Sequence, residues 1–178
     1  MSTWPAPSTT SFPPNRVPLA AGAPAPEFTL PGPDGAATSF ADLTAAGPVL
    51  LAFFKTSCPT CLLAMPVVAE LERRYGTGIP VVAVTQTSMD ATVPWLAAAG
   101  FAGPALDDEQ GRFAASRAYD VQTVPTLVLV DDGRVAAASE GWDRERMNRW
   151  ALDLGTRTGR DTAPVSTEAD GRPVFKPG

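Results

Sequence analysis

Cys58 and Cys61 are the only two cysteines in a chain of 178 residues. They stand three positions apart, with Pro59 and Thr60 between them. At that spacing, near the start of a helix, two sulfurs can join or part with little backbone movement. The chemistry on offer is therefore reversible dithiol–disulfide exchange. The chain contains no histidine, so no Ser-His-Asp triad, Cys-His pair or histidine metal site can be assembled, and proton transfer falls to carboxylate, thiol, lysine, tyrosine or water. A zinc knuckle needs about four ligands, which two thiolates do not supply. A structural disulfide enclosing only Pro59 and Thr60 would be a weak staple, because the gain from closing a loop grows with its length. Two inert buried cysteines are the plain alternative, but such residues seldom fall at a strand-to-helix junction. No metal and no cofactor is expected.

The neighbouring residues place the pair at such a junction. Pro48 to Phe54 is a short apolar run bounded by Gly47 and by polar Lys55-Thr56-Ser57, the pattern of a strand buried on both faces. Leu62, Leu63, Met65, Val67, Val68, Leu71 and Tyr75 then recur at helical spacing, with Glu70, Glu72, Arg73 and Arg74 opposite and Gly76 as a stop. Cys58 falls at the helix N-cap and Pro59 at the first position, where a missing N–H costs nothing. Free N–H groups and the positive end of the helix dipole favour an anion there, in this case the Cys58 thiolate.

The rest of the chain supplies the elements around that junction. Glu27 to Leu30 and Ala37 to Ser39 flank Asp34-Gly35 and predict a small hairpin, followed by one helical turn over 40–45. Ile79 to Thr85 predicts a second buried strand, parallel to the first with a right-handed crossover. The pattern further predicts a helix over 90–100, capped by Asp90 with Trp95 and Leu96 inward, an edge strand over 104–106, and a helix over 109–119 with Phe113 and Ala114 inward. Thr123 to Val130 reads as a strand opening on Pro125, turned by Asp131-Asp132-Gly133-Arg134 into an antiparallel partner over 135–139. A last amphipathic helix covers 143–154, with Met147, Trp150, Leu152 and Leu154 on its apolar face.

An apolar content of 44% is enough for one ordinary core. The prolines and glycines crowd the ends, so residues 1–21 and 155–178 are expected to be irregular around a domain at 22–154; Trp4, Phe12 and Pro173-Val174-Phe175 are candidates to dock on the body. A net charge of −5 without a basic stripe argues against nucleic acid or an anionic membrane surface as partner. No run is long enough to span a bilayer and no leader pattern opens the chain. A cytoplasmic monomer is expected, in a compartment where a vicinal thiol pair is catalytic rather than structural.

Cys58-Pro59-Thr60-Cys61 at the junction, Pro66 five places later and Val124-Pro125-Thr126 about sixty residues on together resemble the thioredoxin fold: a three-layer α/β/α sandwich with a mixed central sheet, here with an N-terminal β-hairpin extension. The opening Gly22-Ala23-Pro24-Ala25-Pro26-Glu27-Phe28-Thr29-Leu30, with Asp34-Gly35 and Phe40-Ala41-Asp42-Leu43, is similar to the redoxin branch, which includes TlpA-like thiol-disulfide reductases and AhpC/TSA-type peroxiredoxins. The likeness covers roughly residues 22–154. It implies that Cys58 attacks, that Cys61 resolves, that Pro125 is a cis-proline beside them and that Pro66 kinks the helix. It further implies that Val124, with Pro59, Thr60 and Thr126, meets a substrate peptide in strand-like pairing. Three positions depart from the pattern: Ser57 stands where thioredoxins carry Trp, Ala52 where they bury an Asp that handles the second cysteine's proton, and Ala64 where many TlpA-like reductases place Glu. The group that activates Cys61 is therefore unassigned; Lys55 is near enough in sequence to favour a thiolate, and Asp107 and Asp120 are candidates if the fold brings them close.

The leading expectation is a thiol-disulfide oxidoreductase acting on protein disulfides, with a separate thiol reductant to restore the dithiol. A peroxiredoxin-like peroxidase is the first alternative, but neither cysteine has the Thr or Ser three places upstream that such a site uses; Lys55 holds that place for Cys58, and Cys58 for Cys61. A non-enzymatic thioredoxin-like module that senses redox state or binds a partner is the second.

Overall fold

The computed structural model describes residues 19–178; the expected docking of Trp4 and Phe12 lies outside the described residues. The hairpin forms where its turn chemistry places it. β1 (Thr29–Pro31) pairs antiparallel with β2 (Ala37–Ser39), and Gly35 takes the positive φ that the connecting turn requires. Ser39 and Asp42 then cap α1 (Phe40–Thr44) reciprocally. β3 (Val49–Phe54) is buried at every position, α2 (Pro59–Tyr75) follows, and β4 (Val81–Thr85) returns parallel to β3. α3 (Met89–Ala98) leads to β5 (Ala105–Asp107), parallel to β4, and the short α4 (Ala114–Ala118) leads to β6 (Thr126–Asp131), antiparallel to β3. Asp132 and Gly133, both at positive φ, make the tight turn into β7 (Arg134–Glu140). The two-residue β8 (Trp142–Asp143), α5 (Arg144–Thr158), a 3-10 turn (Glu168–Asp170) and β9 (Phe175–Lys176) complete the chain.

The central sheet runs β5-β4-β3-β6-β7. Because side chains alternate across a strand, β3 feeds two cores. Leu50, Ala52 and Phe54 pack with Cys61, Met65, Val68 and Leu71 of α2 and with Met147, Trp150 and Leu154 of α5. Val49, Leu51 and Phe53 pack on the opposite side with Leu30, Phe40, Ala115 and Tyr119. Burying each large aliphatic side chain stabilises by about 1.5–3 kcal/mol, so β3 is clamped from both sides, α2 is fixed against one of them, and the junction between the two is held firmly. The result is the thioredoxin-like three-layer α/β/α sandwich with a mixed sheet.

Several local expectations are corrected. The helix expected over 109–119 shrinks to α4 because Asp108, fully buried, accepts the N–H groups of Ala115 and Ser116 at 2.9 and 2.8 Å and so fixes the helix start. Phe113 precedes it at φ 60 and is 40% exposed rather than inward. Ser88, not Asp90, is the N-cap residue of α3. Leu62 and Leu152, expected inward, are 64% and 54% exposed. Gly155, expected near a helix end, lies inside α5, where a Cβ would stand 2.7 Å from the Asp161 carbonyl oxygen; the glycine lets the following segment fold back against the helix.

That segment, expected to be irregular, has few regular elements but is bonded along its length. Tyr75 Oη donates to the Asp161 carbonyl at 2.7 Å and Arg160 Nη1 to the Arg74 carbonyl at 2.8 Å. Asn148 Oδ1 accepts the Val165 and Ser166 N–H groups at 2.9 and 3.0 Å. Trp142 Nε1 donates to the Pro173 carbonyl at 2.7 Å, and β9 pairs antiparallel with β8.

Candidate active site

β3 ends at Phe54, and three residues of turn bring the chain to Cys58, whose extended backbone (φ −85, ψ 119) makes it the N-cap of α2. Its Sγ accepts the Cys61 N–H at 3.3 Å, the bond that a capping serine or aspartate oxygen would ordinarily make. Its thiol donates to the Val124 carbonyl oxygen, also at 3.3 Å. Both cysteines are free; Cys58 is half-buried and Cys61 fully buried. The structure thus gathers Cys58, Cys61 and Val124, residues 66 positions apart at the extremes. The Val124–Pro125 peptide bond is cis.

The two sulfurs differ in kind. Burial pushes the Cys61 thiol well above the ordinary cysteine range; the Lys55 backbone N–H hydrogen-bonded to it opposes this, and the Cys58 sulfur, by hydrogen bond and by charge, adds to the rise. Cys61 shares its cluster with Ala52, Ala64 and Met65, and no carboxylate contributes to its shift. Ala52 is 2% exposed, so the place of the thioredoxin carboxylate is taken by a buried methyl. Asp107 accepts the Gln110 N–H, and Asp120 the Gln122 side-chain amide; neither serves the thiols. Lys55 acts on Cys61 through its backbone, with its side chain exposed.

The other expected site residues divide. Pro59 is exposed at the first helical position, and Pro125 is buried. Thr60 is buried, and its Oγ1 donates to the Pro177 carbonyl at 2.6 Å. Thr126 is buried, and its Oγ1 donates to the Thr123 carbonyl at 2.7 Å. The sequence reading missed Gly141, whose N–H donates to the Pro125 carbonyl at 2.8 Å, and Trp142 beside it. A single glycine next to a tryptophan carries no periodicity, and only the tertiary pairing reveals them. Among the described residues no group of three or more His, Cys, Asp or Glu side chains comes together as metal ligands would.

Glu140, opposite Thr126 on β7, has a buried Oε1 without a hydrogen-bond partner among the described residues. Burial raises its pKa and nearby Asp120 adds to the rise, while Arg146 opposes it. A carboxylate raised in the folded state contributes stability that is full below its unfolded value, about 4.3, and is lost as pH rises through the folded value. Glu140→Gln should therefore be more stable than wild type at about pH 7, with the difference closing towards about pH 4. Urea unfolding at both pH values measures this, and a pH-independent difference contradicts it.

A parallel β3–α2–β4 unit with an antiparallel β6–β7 hairpin, and a dithiol at the first turn of its central helix, define a redoxin: a thiol-disulfide oxidoreductase of thioredoxin-like fold. The chain belongs to the AhpC/TSA family, whose model matches residues 21–138. It is 32% identical over 123 residues to the Thioredoxin-like protein YneN of Bacillus subtilis (strain 168), a match spanning 66% of this chain and 69% of that one. A proposed thiol:disulfide interchange protein DsbE from Chlorobium tepidum superposes with a TM-score of 0.65 at 28% identity, covering 76% of this chain and 98% of that one. The Peroxidoxin BcpB of Mycobacterium tuberculosis shares the fold, with a TM-score of 0.63 at 18% identity over 78% of this chain and 96% of that one.

Proposed function

We propose that the protein reduces disulfides in protein substrates through a Cys58–Cys61 dithiol cycle, in a reducing compartment and at the expense of a separate thiol donor. The observation that carries this reading is the pairing of a half-buried Cys58 Sγ, held between the Cys61 N–H and the Val124 carbonyl, with a fully buried Cys61. The Cys58 thiolate attacks one sulfur of the substrate disulfide; that S–S bond breaks, a mixed disulfide forms, and the second substrate sulfur leaves as thiolate and takes up a proton. Cys61, giving up its proton to solvent, then attacks the Cys58 sulfur; the mixed-disulfide bond breaks and the first substrate sulfur leaves as a thiolate that takes up a proton. Once Cys58 is bonded to substrate it bears no charge, so its part in holding the Cys61 proton disappears while the Lys55 N–H remains to stabilise the thiolate. The first step thereby eases the second without a buried carboxylate, while burial remains the largest cause holding the Cys61 proton. Two electrons pass to the substrate, and Cys58 and Cys61 become the disulfide.

Insulin reduction by dithiothreitol tests the reading. The protein should shorten the lag before the insulin B chain precipitates, and a time course equal to that of dithiothreitol alone rejects the proposal. Rapid turnover of hydrogen peroxide without any effect on insulin would replace it with a peroxidase.

A further inference from the structure

Residues 172–178 do not trail away from the body; they run across the face that carries Cys58. Arg144 donates its N–H to the Val174 carbonyl at 2.9 Å and its guanidinium to the Arg172 carbonyl. β9 lies antiparallel on β8, with Lys176 opposite Trp142 and Phe175 opposite Asp143. Thr60, inside the Cys58–Cys61 turn, donates to the Pro177 carbonyl at 2.6 Å. Gly178 then lies so close to Thr123 and Val124 that a Cβ on it would overlap Thr123 Oγ1 and the Val124 carbonyl oxygen, the same oxygen that accepts the Cys58 thiol. Gly141, at φ 67, gives the segment its passage: a Cβ there would meet the Lys176 carbonyl oxygen at 3.1 Å and the Gly178 nitrogen at 3.2 Å.

Beyond Arg172, whose guanidinium lies over the Trp142 ring and pairs with Asp170, the contacts share one character. The protein grips this segment through backbone carbonyls and strand pairing, while Val174 and Phe175 remain 67% and 60% exposed. That is how a groove reads an extended peptide when main-chain bonds supply the hold. It is also a hold that can be released, since little apolar surface is buried by it.

We propose that residues 172–178 are an internal occupant of the groove beside Cys58, and that an extended segment of a disulfide-bearing protein must displace them to reach the sulfur. The proposal rests on the oxidoreductase reading of the same site. Small disulfides, which need only the sulfur and not the groove, leave the segment in place. Thr60 is the residue that reads the incoming backbone, through the hydroxyl now donated to Pro177.

The test uses the full-length Cys61→Ser variant, which stops at the mixed disulfide. One sample is treated with a cysteine-containing decapeptide activated as its 2-pyridyl disulfide: the Cys58 thiolate forms a bond to the peptide sulfur, the old S–S bond breaks, and 2-thiopyridone leaves with the electron pair and a proton. A second sample carries 2-mercaptoethanol on Cys58 by the same reaction. Hydrogen–deuterium exchange of residues 172–178 is read by mass spectrometry in both. The expected result is exchange at least tenfold faster in the decapeptide adduct than in the mercaptoethanol adduct, which matches the untreated protein. Equal protection in the two adducts overturns the occupant reading and leaves the oxidoreductase standing. A Cys58 that accepts neither adduct overturns both, because the segment then has no substrate to exclude.

Discussion

Cys58→Ser should lower disulfide turnover by about a thousandfold or more, because the thiolate is the attacking species and a serine hydroxyl is almost wholly protonated near neutral pH. The fold should survive, since a serine oxygen at the N-cap accepts the Cys61 N–H as the sulfur does. Cys61→Ser should fail differently. Its first step is intact, so it accumulates one covalently attached substrate per protein, while multiple turnover falls by about a hundredfold or more. Non-reducing electrophoresis after a single mixing separates the two, with a shifted band for Cys61→Ser and none for Cys58→Ser. A Cys58→Ser protein that retains turnover, or that captures substrate through Cys61, would contradict the roles assigned to the pair.

Trp142→Ala should be the most damaging substitution for stability, at about 3–5 kcal/mol. The indole is fully buried between α2 and α5, its N–H satisfies the Pro173 carbonyl, and the Arg172 guanidinium carbon lies 5.9 Å from the ring centroid. Truncation therefore removes core volume and an anchor of the folded-back segment at once. For a chain of this length a loss of that size lowers the midpoint of thermal unfolding by roughly 6–20 °C. Phe175→Ala provides the contrast: that ring is 60% exposed, and its loss should change stability by no more than about 0.5 kcal/mol. Urea or thermal unfolding of both variants measures the difference, and comparable losses would refute the burial argument.

The elements that carry the dithiol are legible in the sequence because each has a local physical cause. β3 is an unbroken apolar run, Cys58-Pro59 supplies an N-cap and a first-turn proline, and Asp34-Gly35 and Asp132-Gly133 mark turns at positive φ. Where the reading missed, a tertiary contact overrode a local pattern. Residues 109–119 carry helical spacing, but the buried Asp108 carboxylate starts the helix only at Ala114. The sequence pattern ends the last helix at 154, yet Gly155 lies within a helix that continues to Thr158 and is there for the close approach of Asp161. Pro173-Val174-Phe175 does lie on the body, but the path of 172–178 left no trace in periodicity because, beyond Arg172, backbone groups hold it, and those are the same in every residue type.

The burial of Cys61 has a kinetic consequence. With one sulfur buried in the first turn of α2 and the other at its N-cap, electrons can enter and leave the protein through a single atom. Under the proposed reduction cycle, an oxidised target and the donor that restores the dithiol would need the same doorway and would use it in turn. Such a protein works as a shuttle with alternating visits, and steady-state rates measured against both partners should give the parallel reciprocal lines of a ping-pong scheme.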